Sequence, residues 1–139
     1  MIRIYFAGSI RGGRQLAERY ASMISMLKSY GEVYTEHVGD EQAIIEDDIS
    51  LSDHEIHERD LGWIRNSDLV VAEVSVPSLG VGYEIARAVD LDKPVLCLYN
   101  QDSEHSLSAM ISGCEDVEIG TYKTLSEAKE VIEDFLRKK

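Results

Sequence analysis

Two carboxylates stand out by what surrounds them. Glu84 closes the run Val70-Val71-Ala72-Glu73-Val74-Ser75-Val76-Pro77-Ser78-Leu79-Gly80-Val81-Gly82-Tyr83-Glu84, which reads as a buried strand, a polar turn and the start of a helix. Open α/β sheets build ligand sites at such strand ends. In the first turn of its helix, Glu84 is kept ionised by the dipole and local N–H groups, which suits a nucleophile. Gly80 and Gly82 let a ligand approach the backbone closely. The same placement also describes a surface glutamate that merely complements the helix dipole. Asp60 falls four residues from both Ile56 and Ile64, with Trp63 alongside, and so sits in an apolar row of a helix. A carboxylate there is either ion-paired, with Arg59 or Arg65, or placed at a site where partial burial lets it hold a proton.

One carboxylate ionised and one protonated is the division of labour in glycosyl transfer. The first attacks or stabilises the anomeric carbon and the second helps the leaving group depart. Glu73, inside the same strand, is an alternative reactive group, but a place within a sheet suits a structural pairing.

A second stretch, Gly8-Ser9-Ile10-Arg11-Gly12-Gly13-Arg14, lies between a strand and a helix, where anions meet helix N-termini. It misses the dinucleotide spacing, and Arg14 and Gln15 stand where a P-loop has Lys and Ser/Thr, which argues against triphosphate–magnesium chemistry. A monophosphate held by backbone N–H groups, the Ser9 hydroxyl and Arg11 fits the residues; so does a glycine-rich turn with solvated arginines. Ser78 and Ser108 sit at strand-to-helix turns and either bind phosphate or cap helices. His54 and His57 are three apart with no third ligand evident, so no metal is expected. His37 follows the second strand and lies at a strand end that can line a pocket. No G-x-S-x-G elbow supports serine-hydrolase chemistry.

The elements that must position these groups alternate. Ile2 to Ala7 is a β-branched and aromatic strand stopped by Gly8. Leu16, Tyr20, Met23, Ile24 and Leu27 recur at helical spacing between Arg14 and Tyr30, and Gly31 ends that helix. A short strand at Glu32 to Tyr34 and an acidic, polar segment through Asp48 follow. Asp47 to Arg65 reads as one helix, with Asp47, Asp48 and Ser50 as competing caps. Strands at Asp68 to Val74, Pro94 to Tyr99 and Val117 to Ile119 alternate with helices at Val81 to Leu91, Ser106 to Ile111 and Ser126 to Leu136. The expected fold is one α/β domain over all 139 residues. It is doubly wound, with a five-stranded, mostly parallel sheet in flavodoxin-like order and helices on both faces.

Composition narrows the partners. Formal net charge is -12, from 26 acidic against 14 basic residues, which opposes a polynucleotide partner but not one small phosphate held locally. No apolar run reaches the roughly 20 residues of a membrane span. No secretory signal is visible, and Cys97 and Cys114 lack metal-type spacing, so free thiols in a reducing, cytoplasmic setting are expected.

Tyr5 to Arg14, Thr35-Glu36-His37, His57-Glu58-Arg59-Asp60-Leu61, Val70 to Glu84 and Leu107-Ser108-Ala109-Met110-Ile111 together resemble, in register, the 2'-deoxynucleoside 5'-phosphate N-hydrolases. These are a branch of the nucleoside 2-deoxyribosyltransferase superfamily. The resemblance runs from residue 2 to about 113. It implies cleavage of the N-glycosidic bond of a deoxynucleoside 5'-monophosphate to free base and 2-deoxyribose 5-phosphate, without cofactor. Glu84 is implied as the nucleophile that forms a glycosyl-enzyme intermediate, and Asp60 as the acid that protonates the base. Gly8, Ser9, Ile10, Arg11, Gly12 and Gly13 correspond to the nucleotide-binding loop, with Ser78 and Ser108 also on the phosphate. Gly80, Met110 and His37 match further substrate-binding positions, and Tyr5 the position that favours deoxyribose. The Ser108 segment is implied to come from a neighbouring subunit of a homodimer. A deoxyribosyltransferase and a non-catalytic nucleotide-binding module are the competing readings. The acidic segment from Gly39 to Asp48 departs from the family pattern and is expected to bear on base preference.

Overall fold

The chain, as a computed structural model, is described for residues 1–10 and 14–139; for Arg14, Glu36, His37, Glu41 and Asp48 the description is of the backbone alone. Five strands, β1 (Ile2–Ala7), β2 (Gly31–Val33), β3 (Leu69–Glu73), β4 (Val95–Asn100) and β5 (Glu118–Tyr122), form one parallel sheet in the order β2-β1-β3-β4-β5. That is the flavodoxin-like doubly wound order, in which a crevice opens at the strand ends where the winding reverses, between β1 and β3.

Alternation along the strands sends successive side chains to opposite faces. On one face Ile4, Phe6, Leu69, Val71, Leu96 and Leu98 pack against α1 (Arg14–Lys28) and α6 (Leu125–Arg137). On the other, Tyr5, Ala7, Val70, Ala72, Val95 and Cys97 meet Leu61 and Ile64 of α3 (Asp53–Asn66) and Val81, Ile85 and Ala88 of α4 (Leu79–Asp90). Every residue of β3 is buried, as a strand covered on both faces requires. Cys97 lies in this core, and burial pushes its thiol up to about 12; with Cys114 it is a free cysteine. No helix among the described residues is long and apolar enough to cross a membrane.

The stretch from Asp47 to Arg65 is not one helix. A 3-10 turn (Glu36–Gly39) leads into α2 (Glu41–Ser50), and the chain is extended at Leu51 and Ser52 before α3 begins. Neither Asp47, Asp48 nor Ser50 caps. Asp40 caps α2, accepting from the Gln42 and Ala43 N–H groups at 3.0 and 3.4 Å. Ser52 caps α3 in a reciprocal box: its hydroxyl accepts from the Glu55 N–H at 3.1 Å, and the Glu55 carboxylate accepts from the Ser52 N–H at 3.0 Å. This second cap outcompetes helix continuation and lets α2 turn over the end of the sheet. The short α5 (Ala109–Ser112) starts at Ser108, whose hydroxyl accepts from the Met110 N–H at 3.2 Å.

Candidate active site

The periodicities that build the core also aim the functional groups. Tyr5 and Ala7 occupy the odd positions of β1, so they point toward α3 and α4. On α3, the row Ile56, Asp60, Ile64 starts at the sheet end and finishes with Ile64 fully buried. On α4, Val81, Ile85 and Ala88 are buried, which turns Glu84 inward to meet Tyr5. The Tyr5 hydroxyl donates to Glu84 Oε2. These side chains line a cleft of about 40 Å³ with Gly8, Ile10, Thr35, Val38, Ile44, Asp47, Ile56 and Arg59.

Glu84 does not stand in the first turn of its helix. Ser78 caps α4, its hydroxyl accepting from the Val81 N–H at 3.3 Å, so the helix begins at Leu79 and Glu84 falls in the second turn. The dipole's effect has faded there. Burial, joined by the nearby charge of Asp60, pushes the Glu84 carboxyl up to about 7 from 4.5, and the hydrogen bond from Tyr5 opposes the rise. Tyr5 is raised well above the ordinary phenol, first by burial and then by the charges of Glu84 and Asp60. Near neutral pH the cleft therefore holds a carboxyl poised between its two states.

Asp60 is ion-paired. Arg59 Nε donates to Asp60 Oδ1 at 3.0 Å, Arg59 Nη1 donates to Asp47 Oδ2 of α2 at 2.9 Å, and the guanidinium carbon lies 4.6 Å from the Trp63 ring centroid. All three charged side chains are about a quarter exposed. Of the two alternatives for Asp60, the ion pair with Arg59 is present, and the same side chain also lines the cleft. Asp47, expected as a helix cap, instead joins Ile44 in bringing α2 to the cleft, a helix that the acidic segment does not suggest. The one local signal for that helix was an aspartate, Asp40, standing before Ala43 in cap position.

The remaining sequence candidates divide. Gly8 and Ile10 line the same cleft as Glu84, while Ser9 is buried beneath it with its N–H donated to Tyr20 Oη at 3.0 Å. Arg11, Gly12 and Gly13 lie outside the described residues, as does the His37 side chain. A Cβ on Gly80 would lie 3.9 Å from both Glu84 Oε1 and Ser78 Oγ, so Gly80 stands between the Ser78 cap and the Glu84 carboxylate. Ser78, Ser108 and Met110 line a separate groove of about 700 Å³, largely apolar, between α4 and the 106–114 segment. Within one chain, Ser108 and Met110 are not brought to the cleft. Leu79 at 98% and Met110 at 82% exposure stand beside this groove.

Glu73 lines neither cavity. It is fully buried and accepts from the Ser75 N–H and Ser75 hydroxyl, each at 2.8 Å, and from the Tyr122 hydroxyl. Ser75 Oγ in turn accepts from the Asn100 N–H at 2.7 Å. The carboxylate thus ties the ends of β3, β4 and β5 together. His57 bridges Glu58 at 2.7 Å and the Tyr83 hydroxyl at 2.8 Å on the exposed seam of α3 and α4.

The family model described as nucleoside 2-deoxyribosyltransferase matches residues 4–135. The chain belongs to that family. It is 47% identical over 137 residues to the 5-hydroxymethyl-dUMP N-hydrolase of Tetraodon nigroviridis, covering 96% of each chain. The same identity holds over 136 residues to the 5-hydroxymethyl-dUMP N-hydrolase of Mus musculus, covering 97% of this chain and 78% of the relative. Among solved structures, the CMP N-glycosidase of Clostridium botulinum shares the family fold, with a TM-score of 0.72 at 20% identity over 96% of this chain and 98% of that one.

Proposed function

We propose that this protein hydrolyses the N-glycosidic bond of 2'-deoxynucleoside 5'-monophosphates, releasing the free nucleobase and 2-deoxyribose 5-phosphate. The observation that carries the reading is the pair of carboxylates in one cleft, Glu84 tied to Tyr5 and Asp60 tied to Arg59. The near-full-length likeness to relatives named as N-hydrolases supports it.

The productive arrangement inverts the resting one, in which Arg59-paired Asp60 is the charge that raises Glu84: the single proton of the pair passes from Glu84 to Asp60 and leaves Glu84 ionised. A Glu84 carboxylate oxygen attacks C1', the C1'–N bond breaks, and its electron pair leaves on the base, which takes the proton from Asp60. A glycosyl ester on Glu84 results. Asp60, now ionised, accepts a proton from water as the water oxygen attacks C1', and the Glu84–C1' bond breaks to restore the carboxylate. Both steps exchange atoms and charge within the site and the substrate. The turn after β1, with Ser78 at the start of α4, holds the 5'-phosphate. Binding energy gathered there positions C1' against Glu84. Tyr5 is the residue that favours deoxyribose.

The active form is a homodimer in which Ser108 and Met110 complete the neighbour's cleft. Two features support this: the apolar groove of about 700 Å³ beside exposed Leu79 and Met110, and the separation of Ser108 from Glu84's cleft within one chain. The catalytic reading is tested by incubating a panel of deoxy- and ribonucleoside monophosphates and measuring free base. Release from the deoxy series is expected. Adding a second free base tests for transfer, since a new nucleoside forms only if the sugar is passed on.

A further inference from the structure

A buried tyrosine beneath the β1–α1 turn takes no part in the chemistry above, yet it touches that turn in two ways. Tyr20 of α1 is 1% exposed and stands edge-on to Phe6, with ring centroids 5.6 Å apart at 63°. Its hydroxyl oxygen accepts the Ser9 N–H at 3.0 Å. Its ring lies where a side chain at residue 8 would go: a Cβ on Gly8 would come within 2.8 Å of Tyr20 Cε2 and Cζ. Gly8 is therefore glycine because Tyr20 is beneath it, and the turn settles onto the ring. Burial, followed by the charge of Glu73, raises the Tyr20 hydroxyl well above the ordinary phenol, which keeps its proton in place.

The hydrogen bond also fixes which way the Gly8–Ser9 peptide faces. A trans peptide points its N–H and C=O in opposite directions. With the Ser9 N–H drawn inward to Tyr20, the Gly8 carbonyl is turned away from Tyr20. Ser9 N–H is thereby spent on the protein interior and is not one of the backbone donors offered to an anion, contrary to the plainest reading of the glycine-rich sequence.

We infer that Tyr20 is a positioning residue for phosphate recognition: its ring and hydroxyl set the level and the peptide orientation of the turn at Gly8 and Ser9. This rests on the proposed function, in which that turn holds the 5'-phosphate. Tyr20 acts on binding through Gly8 and Ser9, without touching substrate.

The test is Tyr20→Phe, which keeps the ring and removes only the acceptor for Ser9. Steady-state cleavage of deoxyuridine 5'-monophosphate is measured, with inorganic phosphate as a competitive inhibitor and a melting curve for each protein. The expected result is a rise of about fivefold or more in both the KM and the phosphate Ki, with kcat within about twofold of wild type. Unchanged KM and Ki overturn the inference. So does a fall in kcat with KM and Ki constant, or an effect that merely follows a lowered melting temperature. If the wild-type protein releases no base from this nucleotide or from any deoxynucleoside monophosphate of the panel, the functional reading has failed. Calorimetric titration of the same nucleotide then decides the inference alone: binding at least fivefold weaker in the variant supports it, and equal binding overturns it.

Discussion

The Tyr5 hydroxyl donates to the Glu84 carboxylate, joining residues 79 positions apart across the β1–α4 boundary. This bond moderates a carboxyl that burial and Asp60 have already pushed up to about 7. Cleavage needs one proton on the Glu84–Asp60 pair, so kcat/KM falls as pH rises through about that value and the last proton leaves. In Tyr5→Phe the opposing bond is gone, the carboxyl rises further, and the alkaline limb of the kcat/KM profile moves to higher pH. A limb at the same pH in both proteins contradicts this electrostatic assignment.

The raised carboxyl also costs stability. A group whose folded pKa exceeds its unfolded 4.5 binds its proton more tightly when folded. Its stabilising contribution is therefore full below about 4.5 and lost as pH rises through about 7. Glu84→Gln removes the titration and is expected to melt higher than wild type at pH 8, by up to about 3 kcal/mol at 1.36 kcal/mol per pKa unit. The advantage should shrink toward pH 4.5. Thermal melts across that range check both the sign and the window.

Arg59 links α2 to α3 by holding Asp47 and Asp60 at once. Arg59→Ala leaves both carboxylates beside the cleft without this guanidinium. We expect a loss of roughly tenfold in kcat/KM, of the order set by loosened positioning, together with faster amide exchange in α2. Unaltered exchange in α2 would mean that the clasp does not hold that helix.

Much of this was legible in the sequence because strands and core helices announce themselves by apolar pattern. Leu16 to Leu27 repeats every three or four residues, and Val70 to Ala72 has no wet face. The reading failed where one local rule overrode another. Helical character runs through Asp47 to Arg65, but the reciprocal cap of Ser52 and Glu55 breaks it, and α2 has only Asp40 to announce its start. The inward-facing pattern of α4 begins only at Val81, whereas the helix begins at Leu79, an apolar residue left exposed. That displacement changed the electrostatic expectation for Glu84 from dipole-stabilised to burial-raised. Tyr20's hold on Ser9 had no local signal, since in the sequence Tyr20 is one more apolar position on the α1 face.

Glu73 gives a prediction of the opposite kind. It is fully buried with three donors aimed at it, and lies outside both cavities. Glu73→Ala leaves the Ser75 and Tyr122 donors without their acceptor and is expected to destabilise the fold by about 2–4 kcal/mol. Activity per folded molecule should change little. A stable but inactive variant would move Glu73 into the chemistry.

The proposed dimer is checked by sedimentation. Wild-type protein is expected at twice the chain mass, and Leu79→Glu, which places charge in the apolar groove without altering Ser108 or Met110, at the mass of one chain. Cleavage should fall at least tenfold with dissociation, because Ser108 no longer reaches the neighbouring cleft. Full activity in a monomer contradicts the shared site.

The most direct measurement of the central claim is release of free base from a deoxynucleoside 5'-monophosphate by wild-type protein and by Glu84→Ala. The account predicts equimolar base and 2-deoxyribose 5-phosphate from the wild type, and a loss of at least about a thousandfold in the variant. Base release at the wild-type rate from Glu84→Ala would contradict it.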